Sequence, residues 1–306
     1  MGRSAWRVVQ WVIALAIIGF AVSDLAGAWS RLRVQPVEWD VRPALLVASA
    51  LATWAMYAIL IEAWRSMLRG WGDRLSFGAA ARIWTVSSLG KYIPGKVWAI
   101  AGMAVMAQRA GVRRWTAMAS AVVLQALAVG TGAAIVGTAG SASLESRYPW
   151  VPAALLALVV VSVAGIALLL WPPFIGRLLR LVRVEAKGSS PGAPAVVVGA
   201  LANLTAWAGY GLAFWLLARG LFAAPALTPA LAMATFAASY VAGLLFLPAP
   251  AGLGVRESVV ILMLGGALGE SSALALAIAS RVLLTITEFG AAAPFLLAGA
   301  RIRGER

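Results

Sequence analysis

The sequence contains no cysteine and no histidine. Without cysteine the chain can form neither disulfides nor thiolate metal sites. Without histidine it lacks the usual general base and the commonest transition-metal ligand, so a Ser or Thr nucleophile would have no histidine partner. The few carboxylates in the apolar segments show no metal-ligand spacing. We therefore predict that the protein is not an enzyme and uses no cofactor and no metal.

Charged residues are also scarce, at 12% of the chain against about 25% in soluble domains. They are segregated, and they leave apolar runs of about 20 residues, the length that a helix needs to cross roughly 30 Å of hydrocarbon. Because these runs are continuous rather than alternating, they predict helices and not a barrel. The sequence predicts an all-α membrane protein with a single integral membrane domain, residues 1–306.

Six apolar segments are long enough to be full transmembrane helices. They are residues 8–28, 44–66, 116–139, 151–173, 195–218 and 271–299. The first follows two arginines and ends in Ala26-Gly27-Ala28, a pattern that also fits a cleavable signal peptide. We interpret it as a retained helix, because it is long enough to span and the topology requires it.

Two further apolar segments, 79–108 and 229–269, are interrupted near their centres by glycine and proline. Proline removes a backbone donor and glycine admits non-helical angles. Irregular backbone at membrane depth is tolerated only where it is buried in protein or lines a wet cavity. We predict two re-entrant broken-helix hairpins, each returning to the side it entered.

The positive residues orient this scheme. With the N-terminus in the cytoplasm, 16 of the 25 Lys and Arg residues are cytoplasmic, 5 are outside and 4 are within the membrane. A full span at 229–247 would instead move the C-terminal arginines outside, unless the short run after Glu257 also crossed. We predict a multi-pass protein of the bacterial cytoplasmic membrane with both termini cytoplasmic. Since the basic residues are explained in this way, we expect no nucleic-acid partner.

The same scheme predicts an internal repeat. Span, span, hairpin, span over residues 1–140 recurs over residues 141–306, starting from the opposite side. Such inverted-topology repeats are typical of transporters, whose binding sites lie at broken helices near the midplane.

The first hairpin contains a candidate phosphate site. Lys91 and Lys96 flank Tyr92, Pro94 and Gly95, and a charge at mid-bilayer costs roughly 2.5–3.5 kcal/mol on insertion scales. Together with unwound backbone N–H groups and the start of a half-helix at Lys96, the lysines could bind an anion. The alternative is a shallow hairpin whose lysines snorkel to the interface.

The second hairpin contains a comparable cluster. Gly252 and Gly254 permit close backbone approach, and Arg256 offers a planar fork suited to phosphate. Glu257 is expected to pair with Arg256 or with a lysine of the first hairpin. The alternative role for the pair is a structural ion pair that holds the two repeats together.

The last predicted helix carries Arg281 and Glu288, two turns apart on one face that should point inward. They either lock the bundle as an ion pair or contact the ligand. Polar residues on other segments, among them Asn203, Gln125 and Tyr240, are interpreted as interhelical hydrogen-bonding residues.

The two hairpins resemble the signatures of a known family. Gly90-Lys91-Tyr92-Ile93-Pro94-Gly95-Lys96-Val97-Trp98, with Arg109 and Gly111, is similar to the first signature of the lysylphosphatidylglycerol synthase transmembrane (flippase-like) family. Pro248 and Gly252-Leu253-Gly254-Val255-Arg256-Glu257 are similar to its second. The resemblance covers about residues 8–299. It implies the movement or handling of polar lipids, as in the flippase half of the bacterial enzyme that makes and exports aminoacyl-phosphatidylglycerol.

The sequence ends at Arg306 without the soluble aminoacyl-transferase domain of that enzyme. Lipid synthesis is therefore not expected, and the resemblance does not identify the lipid.

These observations lead to one main hypothesis and two alternatives. The main hypothesis is translocation of an anionic phospholipid or a lipid-linked saccharide, with Lys91, Lys96 and Arg256 on the phosphate. Glu257 and Glu288 are candidate protonatable groups for ion coupling. The first alternative is a non-transporting lipid-binding partner of a glycosyltransferase or lipid-modifying enzyme. The second is a carrier for an ion or small solute, and the oligomeric state is not predicted.

Overall fold

The computed structural model describes residues 37–92, 97–139, 151–184, 190–223, 225–246 and 252–304. Ten α-helices account for most of these ranges. They are α1 Pro43–Gly70, α2 Phe77–Ser88, α3 Val97–Arg109, α4 Arg114–Ala139, α5 Val151–Leu169, α6 Pro172–Leu181, α7 Ala193–Leu221, α8 Pro229–Leu245, α9 Val255–Leu268 and α10 Glu270–Gly304. A 3-10 turn, Leu89–Tyr92, follows α2. The all-α prediction is confirmed for the described residues.

Five helices, α1, α4, α5, α7 and α10, are long and apolar enough to cross a membrane. They coincide with five of the six predicted spans, while the predicted span at 8–28 lies outside the described residues. The predicted span at 151–173 ends earlier than expected. Pro172 and Pro173 cannot donate backbone hydrogen bonds and favour the first turn of a helix, so they begin the separate helix α6.

The first interrupted segment forms two short helices that pack against each other. Helices α2 and α3 have 12 and 13 residues, so each is about 20 Å long, too short to cross roughly 30 Å of hydrocarbon. Gly90 lies against the backbone of Trp98 and Ala99, where an added Cβ would be 2.8 Å from the Ala99 nitrogen. Helices α2 and α3 therefore pack closely next to the interruption.

The second interrupted segment forms a similar pair. Helices α8 and α9 have 17 and 14 residues and pack side by side. Gly243 of α8 lies against Gly252, which precedes α9, and an added Cβ on Gly252 would be 2.8 Å from the Gly243 Cα. Gly252 and Gly254 adopt φ angles of +72° and +79°, which other residues adopt only with strain. Glycine is thus required just before α9 begins.

The helix pairs that pack together fall into matching sets. In order and type, α1 to α4 correspond to α7 to α10. Helix α4 packs on α8 as α10 packs on α2, and α4 packs on α7 as α10 packs on α1. Helices α1 and α7 pack on each other. The described packing is therefore compatible with a twofold repeat, while the opposite orientation of its halves in a membrane stays a prediction.

The contact between α1 and α7, here called the central seam, is held by close backbone approach and hydrogen bonds. The Ser49 hydroxyl donates to the Ala213 carbonyl oxygen at 2.6 Å. Beside the end of α7, the Asp40 amide donates to the Leu221 carbonyl oxygen at 2.8 Å. Gly209 lies against Met56. Small residues spaced along α7 thus bring the two helices close together.

Candidate functional site

Glu288 of α10 is the centre of the first polar cluster. Its Oε1 atom accepts a hydrogen bond from the Lys91 ammonium, and its Oε2 atom accepts one from the Tyr92 hydroxyl at 2.9 Å. The same hydroxyl lies 3.2 Å from Thr285 Oγ1. The side chain of Glu288 is 9% exposed and that of Lys91 is 31% exposed. The first-hairpin lysine is therefore neutralised by a buried carboxylate.

Glu257 and Arg281 form the second polar cluster. Arg281 Nε donates to Glu257 Oε1 at 2.5 Å, and the two side chains are 25% and 13% exposed. The prediction that Glu257 pairs with Arg256 or with a first-hairpin lysine is wrong. Helix α10 packs against α9 and brings Arg281 next to Glu257, which lies in the first turn of α9. Among the described residues, Glu257 Oε2 and Arg281 Nη2 have no hydrogen-bond partner although both atoms are buried.

Both ion pairs therefore join a hairpin to α10. Arg281 and Glu288 both face neighbouring helices, as expected, while their role in locking the bundle stays a prediction. They do not pair with each other. Instead each forms its own pair, here called the first latch (Lys91–Glu288) and the second latch (Glu257–Arg281).

Arg256 is held differently. Its guanidinium lies over the rings of Phe236 and Tyr240, 5.7 and 5.3 Å from their centroids. No carboxylate in the described part of the chain forms an ion pair with it. Gly243 makes this position possible, since an added Cβ there would be 2.6 Å from Arg256 Cγ. Arg256 is thus a partly buried cation that lies on aromatic faces, with Glu257 and Glu288 near it but not within ion-pair distance.

Tyr240 connects the two clusters. It lies near Lys91, and its ring is 5.3 Å from the Arg256 guanidinium. Its ring stacks on Phe236, which stacks on Tyr210, at centroid distances of 6.3 and 5.4 Å. A continuous aromatic run therefore leads from the second hairpin into α7.

The interpretation of Asn203 needs correction. It donates to the Gly199 carbonyl oxygen within its own helix, at 2.8 Å, and no hydrogen bond from it to another helix is seen in the described part of the chain. The interhelical roles of Gln125 and Tyr240 stay predictions, and the ring of Tyr240 also lies against Arg256.

A small cavity lies beside the second latch. Its volume is about 10 Å³, which is room for about one water molecule. It is lined by Ser239, Arg256, Glu257, Val260, Ala277, Ser280 and Arg281. The cavity is formed where α8, α9 and α10 meet.

The structure brings together Lys91, Tyr92, Arg256, Glu257, Arg281 and Glu288 around α10. Gly252 and Gly254 shape the turn that precedes α9. Pro94, Gly95 and Lys96 lie outside the described residues, so their predicted contribution to an anion cradle stays a prediction.

Two aromatic residues of the site were not identified from the sequence as ligand-facing residues. Phe236 and Tyr240 are four residues apart on α8 and so share one face of that helix. If α8 and α9 are taken to be antiparallel, this face of α8 is expected to lie opposite the first turn of α9, where Arg256 is. The serines of the cavity, Ser239 and Ser280, gave no comparable signal.

A comparison with protein families gives one match over most of the chain. The model of the family described as the lysylphosphatidylglycerol synthase TM region matches residues 7–290. The match includes both hairpins and both latches. No curated protein matches the chain at a significant level.

Proposed function

The chain belongs to the lysylphosphatidylglycerol synthase TM region family, and from this premise we propose that it translocates an anionic polar lipid across the bacterial cytoplasmic membrane. Several long apolar helices identify it as a multi-pass membrane protein. The lipid is an anionic phospholipid or a lipid-linked saccharide. The cytoplasmic placement of both termini and the inverted orientation of the halves are part of the proposal.

Arg256 is the observation that carries the proposal. A partly buried guanidinium that forms no ion pair with a carboxylate is unfavourable among apolar helices unless an anion joins it. The fork of the side chain can bind phosphate through two parallel hydrogen bonds. The first turn of α9, where Arg256 lies, adds the positive end of a helix dipole. These features support Arg256 as the principal ligand of the headgroup phosphate.

Lys91 takes part only after an exchange of partners. In the first latch its charge is already matched by Glu288, so a phosphate must compete with that carboxylate. Protonation of Glu288 or arrival of a dianionic headgroup would release Lys91. The sequence-based role of Lys91 is thus revised from a free phosphate ligand to one that becomes available during the transport cycle.

The transport step then follows from the hairpin geometry. The acyl or prenyl tails stay in the lipid while the headgroup passes between the hairpins. Both hairpins contact α10 through a latch, so opening one side requires one latch to break. Alternate opening of the two latches would expose the site first to one side of the membrane and then to the other.

Lipid flipping in liposomes tests this function. Reconstituted protein is expected to equilibrate a labelled anionic phospholipid between leaflets. Arg256→Gln is expected to slow this about 10- to 100-fold, because a hydrogen bond to a charged group contributes about 1.5–3 kcal/mol. Arg219→Gln is the matched control, since Arg219 also lies over an aromatic ring, 5.0 Å from Trp215, and lines no part of the cavity. Equal rates for both variants and the unchanged protein would contradict the proposal.

A second candidate function is favoured by the closed state of the site. Both latches are formed, and the cavity holds only about one water-sized ligand. A rigid, ion-paired interior fits a lipid-binding partner of a glycosyltransferase or lipid-modifying enzyme that does not transport. This candidate predicts that purified protein retains a lipid, detectable by native mass spectrometry, but flips none in liposomes.

A further inference from the structure

The second latch and Arg256 together carry an unbalanced charge. Arg256 and Arg281 lie close enough to repel each other, and Glu257 supplies one negative charge for the two. One positive charge is left over in a setting of low dielectric constant. Burying a charge without a counter-charge costs several kcal/mol, on the order of the penalty for breaking a buried ion pair.

The cavity beside these residues has the donors that an anion needs. Both arginines line it, and Arg281 Nη2 is a buried donor without a partner among the described residues. The Ser280 hydroxyl also lines the wall, as does Ser239, whose hydroxyl donates to the Phe236 carbonyl oxygen at 2.9 Å. The first turn of α9 contributes the positive end of its dipole.

The cavity is also limited in size. A volume of about 10 Å³ accepts about one water-sized ligand, whereas a phosphate with its substituents is several times larger. The lipid headgroup therefore cannot occupy this cavity while the latches are closed.

From these observations we infer that the cavity binds one halide-sized inorganic anion, such as chloride, as the counter-ion of Arg256 and Arg281. A water molecule would satisfy the unpartnered atoms of Glu257 and Arg281 but would leave the extra charge. A small monovalent anion neutralises it, and Glu257 does not prevent this because its charge is matched by Arg281. The halide site does not require that the protein move any lipid.

Thermal unfolding of the full chain at constant ionic strength tests the site. The protein is held in nanodiscs of zwitterionic lipid, so that no anionic headgroup competes. Sodium chloride or sodium bromide then replaces sodium gluconate, whose anion is too large for the cavity. A saturable rise in Tm with chloride and bromide supports the site. If Tm in chloride or bromide is the same as in gluconate, the cavity holds only water and the inference is overturned.

Charge variants sharpen the test. Glu257→Gln raises the surplus to two positive charges and is expected to lower the half-saturating chloride concentration about tenfold or more, because nearby charges interact by several kcal/mol at an effective dielectric constant of about 20. Arg256→Gln is expected to abolish the chloride effect, and Arg219→Gln to leave it unchanged. A chloride response in Arg256→Gln equal to that of the unchanged protein would overturn the inference.

A second measurement covers the case in which Arg256→Gln does not fold. Crystals of the unchanged protein soaked in bromide are expected to show an anomalous peak between Arg256 and Arg281. Absence of that peak at saturating bromide would count against the site. Lipid flipping is also measured in gluconate, without halide. Flipping there together with no bromide peak would refute the halide site but not the proposed transport.

Discussion

In the first hairpin the deep cation Lys91 is paired with Glu288, whereas in the second hairpin the deep cation Arg256 lies on two aromatic rings. Both hairpins have the same plan: a short helix, a break rich in glycine, and a second short helix packed against the first. They differ in whether the cation at the break is already neutralised. Under the proposed function, Arg256 of the second hairpin can receive an anion directly, whereas Lys91 of the first must first be released from Glu288.

The difference arises from α10 rather than from the hairpins themselves. By position in the repeat, α10 corresponds to α4. Helix α4 has no charged residue after Arg114, whereas α10 places Arg281 and Glu288 on its inner face. Each latch therefore takes one of its two residues from α10, in the second half of the molecule. As a result, the cations of the two hairpins are neutralised to different extents.

The largest difference in free energy of unfolding is expected between the Glu→Gln variants of the two latches. Glu257→Gln leaves two neighbouring guanidinium groups without a carboxylate and is expected to lower the free energy of unfolding by about 3–5 kcal/mol in halide-free buffer. Glu288→Gln leaves a single cation, Lys91, whose side chain is 31% exposed, so a smaller loss of about 1–2 kcal/mol is expected. Denaturant unfolding in mixed micelles measures both. Equal losses would show that the two latches are equivalent.

A smaller difference is expected between the two hairpin turns. Gly252→Ala introduces both a backbone contact and a left-handed φ angle, with an expected loss of about 3 kcal/mol. Gly90→Ala introduces only the contact with α3, with an expected loss of about 2 kcal/mol. The same unfolding measurement applies. A greater loss for Gly90→Ala would mean that the first turn is the more constrained of the two.

The smallest effects are expected from two tyrosine hydroxyl groups. Tyr92→Phe removes a hydrogen bond to Glu288 and is expected to destabilise the protein by about 1 kcal/mol, because Lys91 still holds the carboxylate. Tyr240→Phe keeps the ring that supports Arg256, so a change below about 0.5 kcal/mol is expected. If Tyr240→Phe were the more damaging variant, its hydroxyl rather than its ring would support the second hairpin.

The sequence was sufficient for features that depend on local pattern. Apolar runs located five of the helices, and glycine and proline located both interruptions. Charged residues in apolar surroundings singled out Lys91, Arg256, Glu257, Arg281 and Glu288, because such residues are expensive in a membrane unless they are matched. All five lie together in the described structure.

Partner choice could not be predicted in the same way. Glu257 binds Arg281 because of the rotation at which α10 packs on α9, and that rotation is set by many long-range contacts. The aromatic support of Arg256 depends likewise on the register of α8 against α9, which is fixed by Gly243 and Gly252. A single sequence gives no measure of either quantity.

The central seam has a consequence for how the molecule can move. Hydrogen bonds and close glycine contacts along α1 and α7 leave little freedom for these two helices to slide or separate. The central seam would then be the rotation axis of the two halves, and the distance between α1 and α7 would stay constant as the halves rotate. Spin labels on engineered cysteines, in a chain that has none of its own, should report fixed spacing between α1 and α7 and variable spacing between α3 and α9.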